Sequence, residues 1–203
     1  MSVLPPDFPR MIAREALAEL PIQRYEGEVC LVTTPRDLER AREAFHAETV
    51  VGFDTETRPA FRKGEHYPPC LAQVATANTV FLFQLGRIDC ADVLAGMLGA
   101  DHLTKAGVGV ARDLKELMAV FPFQPRSVFD PGHAARRHDI EQTGVRNLAA
   151  LFLGVRIPKG ARTSNWAAPR LTPAQIGYAA TDAWVSRELY LAFRRMGLVE
   201  ARH

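Results

Sequence analysis

Cysteine is scarce in this chain. The three residues, Cys30, Cys70 and Cys90, stand at wide and irregular spacing. They offer neither a disulfide framework nor a zinc-ligand pattern, and they suit a reducing cytoplasm. Long apolar runs are missing too. No stretch of about eighteen apolar residues occurs, so no membrane-spanning helix and no membrane partner are expected. A secretory leader is not expected either, because Pro5, Pro6, Asp7 and Pro9 stand where its apolar core would lie. The six histidines form no His-x-x-x-His or similar set, so none is assigned to a metal. Internal repeats and low-complexity tracts are absent. These absences leave a cytoplasmic globular chain with no obvious cofactor handle among its sulfur and imidazole groups.

What is present is enough for one substantial core. The chain has 203 residues, 47% of them hydrophobic, and length favours one domain. Net charge is only +2, but it is unevenly spread. Residues 126–203 carry 12 Lys+Arg against 6 Asp+Glu, whereas residues 1–125 carry 13 against 17. A basic C-terminal part facing an acidic centre suits a polyanion held near metal ions; ordinary surface charge is the plain alternative.

Residues 1–27 read as an N-terminal arm with a short helix over Pro9–Leu20, outside the main fold, and residues 28–203 as the domain proper. Glu28–Thr33 is strand-like. Thr34-Pro35 is an N-cap followed by Pro at the first helical position, opening a helix that runs to His46. An apolar strand follows over 49–54, then a polar loop from Arg58 to Pro69. Cys70–Thr76 and Thr79–Leu85 form an antiparallel meander turned at Ala77-Asn78. Beyond it lie a helix over Ala91–Leu98, a glycine-bearing strand over Leu103–Val110, a helix from Asp113, a strand at 128–129 and a basic loop through Arg136 and Arg137. Helices over Val145–Leu153 and from Thr172-Pro173 to Arg195 complete the chain. Strands first in a meander, then alternating with helices, predict a mixed α/β sheet flanked by helices.

Acidic residues recur where these elements end. In Val50-Val-Gly-Phe-Asp54-Thr-Glu56 the two carboxylates fall two apart on a strand and so share a face. That is a bed for a hard divalent cation, or else a strand running out into a solvated acidic loop. Asp113 opens a helix just after Gly107 and Gly109, which allow close backbone approach; it also suits the helix dipole. Tyr178 and Asp182, at i and i+4, share one face of the last helix, flanked by Gly177, Ala179, Ala180 and Ala183.

These residues, in this order, resemble the DEDD superfamily of 3′-5′ exonucleases, in the subgroup whose third motif carries tyrosine. Phe53–Glu56, Lys105–Asp113 and Tyr178–Ala183 match its three motifs. The flanks, including Ser164-Asn-Trp166 and Leu171-Thr-Pro, look most like the Werner-type exonuclease domain and next like ribonuclease D. The resemblance implies a ribonuclease H-like fold in a single domain, and two divalent cations, Mg²⁺ or Mn²⁺. Asp54, Glu56 and Asp182 would hold the first cation, Asp54 would bridge to the second, Asp113 would act through bound water, and Tyr178 would orient the attacking water or simply pack. Thr57 departs from the tryptophan usual after the first-motif Glu in the Werner type. The implied substrate is the single-stranded 3′ end of DNA, with ribonuclease D-like trimming of RNA as the alternative. A binding module without catalysis and a hydrolase of small phosphoesters are further readings. Thr55, Thr57, Lys105, Lys159 and Arg162 are candidate strand contacts, and Trp166 is a candidate either for base stacking or for the core. Arg170 is a further basic residue near the motifs, His66 lies in the loop after the first motif, and Arg136, Arg137 and His138 are more distant candidates. The oligomeric state is left open.

Overall fold

The computed structural model describes residues 4–62, 64–160 and 163–199. Six strands form one mixed sheet in the order β1-β4-β3-β2-β5-β6. They are β1 (Glu28–Val32), β2 (Val50–Thr57), β3 (Pro69–Ala75), β4 (Thr79–Gln84), β5 (Thr104–Ala106) and β6 (Val128–Phe129). The helices are α1 (Arg14–Glu19), α2 (Pro35–His46), α3 (Ala91–Gly99), α4 (Val110–Leu117), α5 (Pro131–Arg136), α6 (Val145–Leu153) and α7 (Pro173–Arg195). β2, β3 and β4 make the antiparallel meander. β1 joins parallel to β4, and β5 and β6 extend the other side parallel to β2.

Side chains alternate along β2, and this alternation builds the two halves of the core. Val51 and Phe53 face α2, α3 and α4, among Phe45, Phe81, Phe83, Leu94, Leu98 and Leu114. Fully burying each large aliphatic or aromatic group here contributes roughly 1.5–3 kcal/mol. The even residues, Gly52, Asp54 and Glu56, face α7. There Ala179, Ala180 and Ala183 pack on Leu71, Ala75 and Leu82. A Cβ built on Gly52 would lie 1.8 Å from the Ala183 carbonyl oxygen. Glycine at 52 therefore lets α7 settle onto β2, one residue from Asp182.

Helix starts follow the capping signals. Thr34 and Thr172 each accept a hydrogen bond from the backbone N–H of the third helical residue, and the side-chain oxygens of Asp37 and Gln175 accept one from the backbone N–H of the cap residue. Each cap contributes about 1 kcal/mol. A third helix, α5, replaces the expected basic loop through Arg136. Asp130 caps it, its Oδ1 accepting from Gly132 N at 2.8 Å and His133 N at 3.1 Å. The expected strand over Leu103–Val110 is shorter, ending at Ala106. A Cβ on Gly107 would lie 2.5 Å from the Phe53 carbonyl oxygen, which is the close approach expected of that glycine. Gly109 has a different role. Its φ of 77° is left-handed, and it turns the chain into α4.

The N-terminal arm is not outside the fold. Its helix is only Arg14–Glu19. Leu4 is buried with Leu148, Leu189 and Phe193. Arg156 N donates to Pro21 O at 2.8 Å, Gln23 N donates to Arg156 O at 3.0 Å, and Tyr25 N donates to Thr181 Oγ1 at 3.1 Å. Among the described residues no helix is long and apolar enough to cross a membrane.

Candidate active site

Asp54 and Glu56 leave the carboxyl half of β2 on the face that α7 covers. α7 brings Asp182 down to them, 8% exposed. One carboxylate oxygen from each of the three lies within 4.8 Å of the others. Like charges held this close in a poorly solvated site favour protonation. Burial first, and then the charges of Asp182, Asp113 and Glu56, push the Asp54 carboxyl well above the usual range. The Thr55 N–H, donating to Asp54 Oδ1 at 2.9 Å, offsets only part of this. Burial also pushes Asp182 up to about 6, against the Tyr178 hydroxyl and the Arg146 charge, which favour its ionised form.

Tyr178 lies one turn before Asp182 and donates its hydroxyl hydrogen bond to that carboxylate. Burial and the neighbouring Asp182 raise the phenol above its ordinary range, so it is a neutral hydroxyl near pH 7. The ring is held on two sides. A Cβ on Gly160 would lie 1.8 Å from Tyr178 Cδ2, so the Pro158–Gly160 segment lies directly against it. Trp166 packs on it as well, with ring centroids 5.9 Å apart. Asp113 approaches from the other face of β2. Thr55 Oγ1 donates to Asp113 Oδ1 at 2.7 Å, while burial raises Asp113 to about 6. The fourth acid is thus tied to the cluster through Thr55 and stands outside the tight group of three.

These side chains line a groove of ≈ 690 Å³ together with Lys159, Arg112 and Arg146. Lys159 is exposed at its rim. Thr57 and His66 border an adjoining cleft with Arg58 and Tyr67. Two candidates are overturned. Lys105 is 0% exposed, and its Nζ donates to Ala100 O at 2.7 Å and Leu103 O at 2.8 Å. It pairs with Val51, so it points to the face of the sheet away from the carboxylates. Trp166 is 0% exposed and braces Tyr178 from the core, where no base can stack on it. Thr55 is corrected in role, because its hydroxyl is committed to Asp113. Arg162 lies outside the described residues. Arg137 borders a different cleft beside Asp130 and Tyr190, and Arg170 is exposed but does not line the groove.

A family profile described as 3′-5′ exonuclease matches residues 29–197. The chain belongs to this 3′-5′ exonuclease family. All the acids and the tyrosine of the groove fall within the matched span, and the relatives agree with the DEDD superfamily. Among those relatives, ribonuclease D of Gluconacetobacter diazotrophicus is 33% identical over 164 residues, covering 79% of this chain and 41% of that protein. The bifunctional 3′-5′ exonuclease/ATP-dependent helicase WRN of Mus musculus is 28% identical over 154 residues, covering 73% of this chain and 11% of that one. The chain therefore spans less than half the length of these curated relatives, and its identity to the ribonuclease D exceeds that to the Werner-type helicase. The crystal structure of the Aedes aegypti Nibbler EXO domain superposes with a TM-score of 0.76 at 20% identity, covering 86% of this chain and 92% of that one. That likeness shows the fold, a ribonuclease H-like exonuclease domain.

Several groups at the exonuclease groove escape a reading of sequence. Arg146 sits at the start of α6, its Nε donating to Ile157 O at 3.1 Å, and its charge favours ionised Asp182. Gln73 stands directly across from Asp54 on β3, fully buried, and neither end of its amide finds a partner among the described residues. Only strand pairing reveals that position. A polar residue in the otherwise apolar run Leu71–Ala75 was the available signal.

Proposed function

We propose that this chain hydrolyses phosphodiester bonds from the 3′ end of a single-stranded nucleic acid, with divalent cations. The observation that carries this reading is the convergence of Asp54, Glu56 and Asp182 within 4.8 Å at the floor of an open groove. The residues fit such ions. Carboxylate oxygens are the ligands that Mg²⁺ and Mn²⁺ prefer, and three acids at this spacing, Asp182 buried and Asp54 and Glu56 half-buried, call for neutralising charge. Asp54, Glu56 and Asp182 would hold the first ion, and Asp54 would share a second. Bound cations supply an activated water and stabilise the leaving oxygen of an in-line displacement.

The chain's own groups do the positioning. Tyr178 offers a neutral hydroxyl that keeps its proton near pH 7 and is aimed by Asp182, Gly160 and Trp166. Such a donor can fix the direction from which water approaches phosphorus. Asp113, held by Thr55, presents a fourth carboxylate from the opposite face, suited to ordering water around the ions. Lys159 at the rim can take a phosphate of the strand without reading its sequence.

Ribonuclease D is the relative with the higher identity, so RNA 3′ ends are the first substrate to test and DNA 3′ ends the second. The decisive assay uses matched 5′-labelled single-stranded RNA, single-stranded DNA and recessed duplex, each with Mg²⁺, with Mn²⁺ and with EDTA. A cation-dependent ladder that shortens from the 3′ end supports the reading. Retained binding with no cleavage on any strand replaces it with a binding module.

A further inference from the structure

A second pocket adjoins the carboxylate groove, and the Pro158–Gly160 segment lines both. It has a volume of ≈ 240 Å³, and Tyr178, Asp182 and Lys159 border both spaces. Its remaining charged group is Arg24, from the N-terminal arm. Arg24 precedes the span that the exonuclease family matches, which begins at residue 29. We propose that Arg24 and Lys159 form a phosphate subsite beside Tyr178, and that the N-terminal arm is thereby part of the strand-binding surface.

Two features make this more than a pair of surface cations. The first is anchorage. Gln23 N donates to Arg156 O at 3.0 Å and Tyr25 N donates to Thr181 Oγ1 at 3.1 Å. The Tyr25 hydroxyl donates toward the carbonyls of Glu28 and Asn78, each at 3.1 Å. Arg24 is therefore held between two fixed residues, so less chain entropy is lost when it engages a ligand. The second is charge. The groove concentrates Asp54, Glu56, Asp113 and Asp182. Arg112, at its edge, is already bonded to Glu116 at 2.7 Å, and Arg146 to Ile157 O. A polyanion entering this field needs cations just outside the carboxylates. Arg24 and Lys159 are both exposed, and no ion pair is formed by either among the described residues. A guanidinium suits a phosphate because its planar fork can donate two parallel hydrogen bonds.

The proposal rests on the nuclease reading, and its test separates the two. Fluorescein-labelled oligouridylate and oligothymidylate are titrated by anisotropy in EDTA, over a range of salt, with the wild-type chain, Arg24→Ala, Arg24→Lys, Lys159→Ala and Arg42→Ala. Arg42 is a charge-matched control on α2. It lies by His46 and His102, at the start of β2 and β5, whereas the carboxylates lie toward the end of β2. Counterion release gives a slope of about 0.7 per phosphate contact on a single strand, so losing one contact weakens binding about fivefold at roughly 0.1 M salt. Arg24→Ala and Lys159→Ala should each show that loss and a slope shallower by about 0.7. Arg24→Lys should keep the slope. RNA and DNA should suffer equally, since a phosphate contact is blind to the sugar. An Arg24→Ala protein that matches Arg42→Ala in affinity and slope overturns the subsite, and so does a loss confined to RNA. A wild-type chain that neither binds nor cleaves any strand overturns the nuclease reading along with it.

Discussion

Replacing Asp182 with Asn should stabilise the cation-free protein at neutral and higher pH, although it removes a residue of the candidate site. The carboxyl is 8% exposed, and burial raises its pKa from 3.8 to about 6. A shift of about two units corresponds to roughly 3 kcal/mol between the two protonation states. The folded-state value is the higher one, so folding takes up a proton. The stabilising contribution is complete below 3.8 and is lost as pH rises through about 6. Asp113, also raised to about 6, and Asp54, raised further by burial and its neighbours, act in the same direction. Asn carries no charge and keeps an oxygen for the Tyr178 hydroxyl, but it gives up the attraction of Arg146. The net gain in EDTA above neutral pH is then roughly 1–2 kcal/mol, or about 2–8 °C in Tm for a domain of this size. Thermal unfolding by circular dichroism, at about pH 5 and about pH 8, gives the difference between variant and wild type. That difference should be positive at the higher pH and shrink at the lower. Added Mn²⁺ should reverse its sign, because the wild type gains a ligand-linked increment that the variant lacks. A cation-free Tm that falls on substitution at the higher pH would refute the reasoning, because Asp182 would then be a net stabilising charge.

Other outcomes follow from the same geometry. Asp54→Ala should abolish cleavage while the far-ultraviolet circular dichroism is retained, and wild-type turnover in the gel assay would remove Asp54 from the site. Tyr178→Phe should lower the cleavage rate by roughly one to three orders of magnitude, with the Mn²⁺-induced rise in Tm preserved; an unchanged rate reduces Tyr178 to packing. Gly160→Ala should also slow cleavage, because the added methyl falls within the Tyr178 ring and must displace it; the near-ultraviolet spectrum and the rate are measured together. Lys105→Met should leave nucleic-acid affinity unchanged while lowering stability by about 1–3 kcal/mol, because the buried Leu103 carbonyl and the half-buried Ala100 carbonyl lose their donor; denaturant unfolding and anisotropy check the two halves.

The elements that were legible in the sequence were those whose signals are local. Thr34-Pro35 and Thr172-Pro173 mark helix starts because the cap and the fixed proline φ act within a few residues. The same logic marks Asp130 as a cap or a brace for its loop, and Asp130-Pro131 opens α5, although the basic composition beyond it favours a loop. The carboxylates were legible because strand parity and helical spacing are rigid. Parity put Asp54 and Glu56 on one face, and the i, i+4 rule put Tyr178 under Asp182. Parity applied to β5 would also have corrected Lys105. Nearness in sequence to the second motif stood in for nearness in space, and pairing with Val51 turns the side chain to the far face. Long-range seams leave no such trace. The stitching of residues 21–25 to Arg156 and Thr181 depends on backbone groups that every residue carries.

What distinguishes the site from the rest of the fold is that its local rules conflict with stability. Elsewhere the sheet follows alternation and small-residue packing, and α7 settles on Gly52 with its alanines downward. The same close approach that buries Ala179 and Ala183 drives Asp182 against Asp54 and Glu56. Substituting Gly52 would relieve the crowding of the acids only by lifting α7 off the core, so the packing of the sheet imposes the electrostatic penalty. A fold that keeps three acids in such contact is destabilised by them unless cations are bound, because the ions bind the folded arrangement and not the unfolded chain. Stability of the free protein and affinity for cations should therefore move in opposite directions when Asp54, Glu56 or Asp182 is neutralised. A neutralising change at an exposed acid such as Glu39 on α2 should move neither. That opposition separates a cation site from a chance cluster of carboxylates, and it can be read from unfolding curves alone, without knowing which nucleic acid the groove receives.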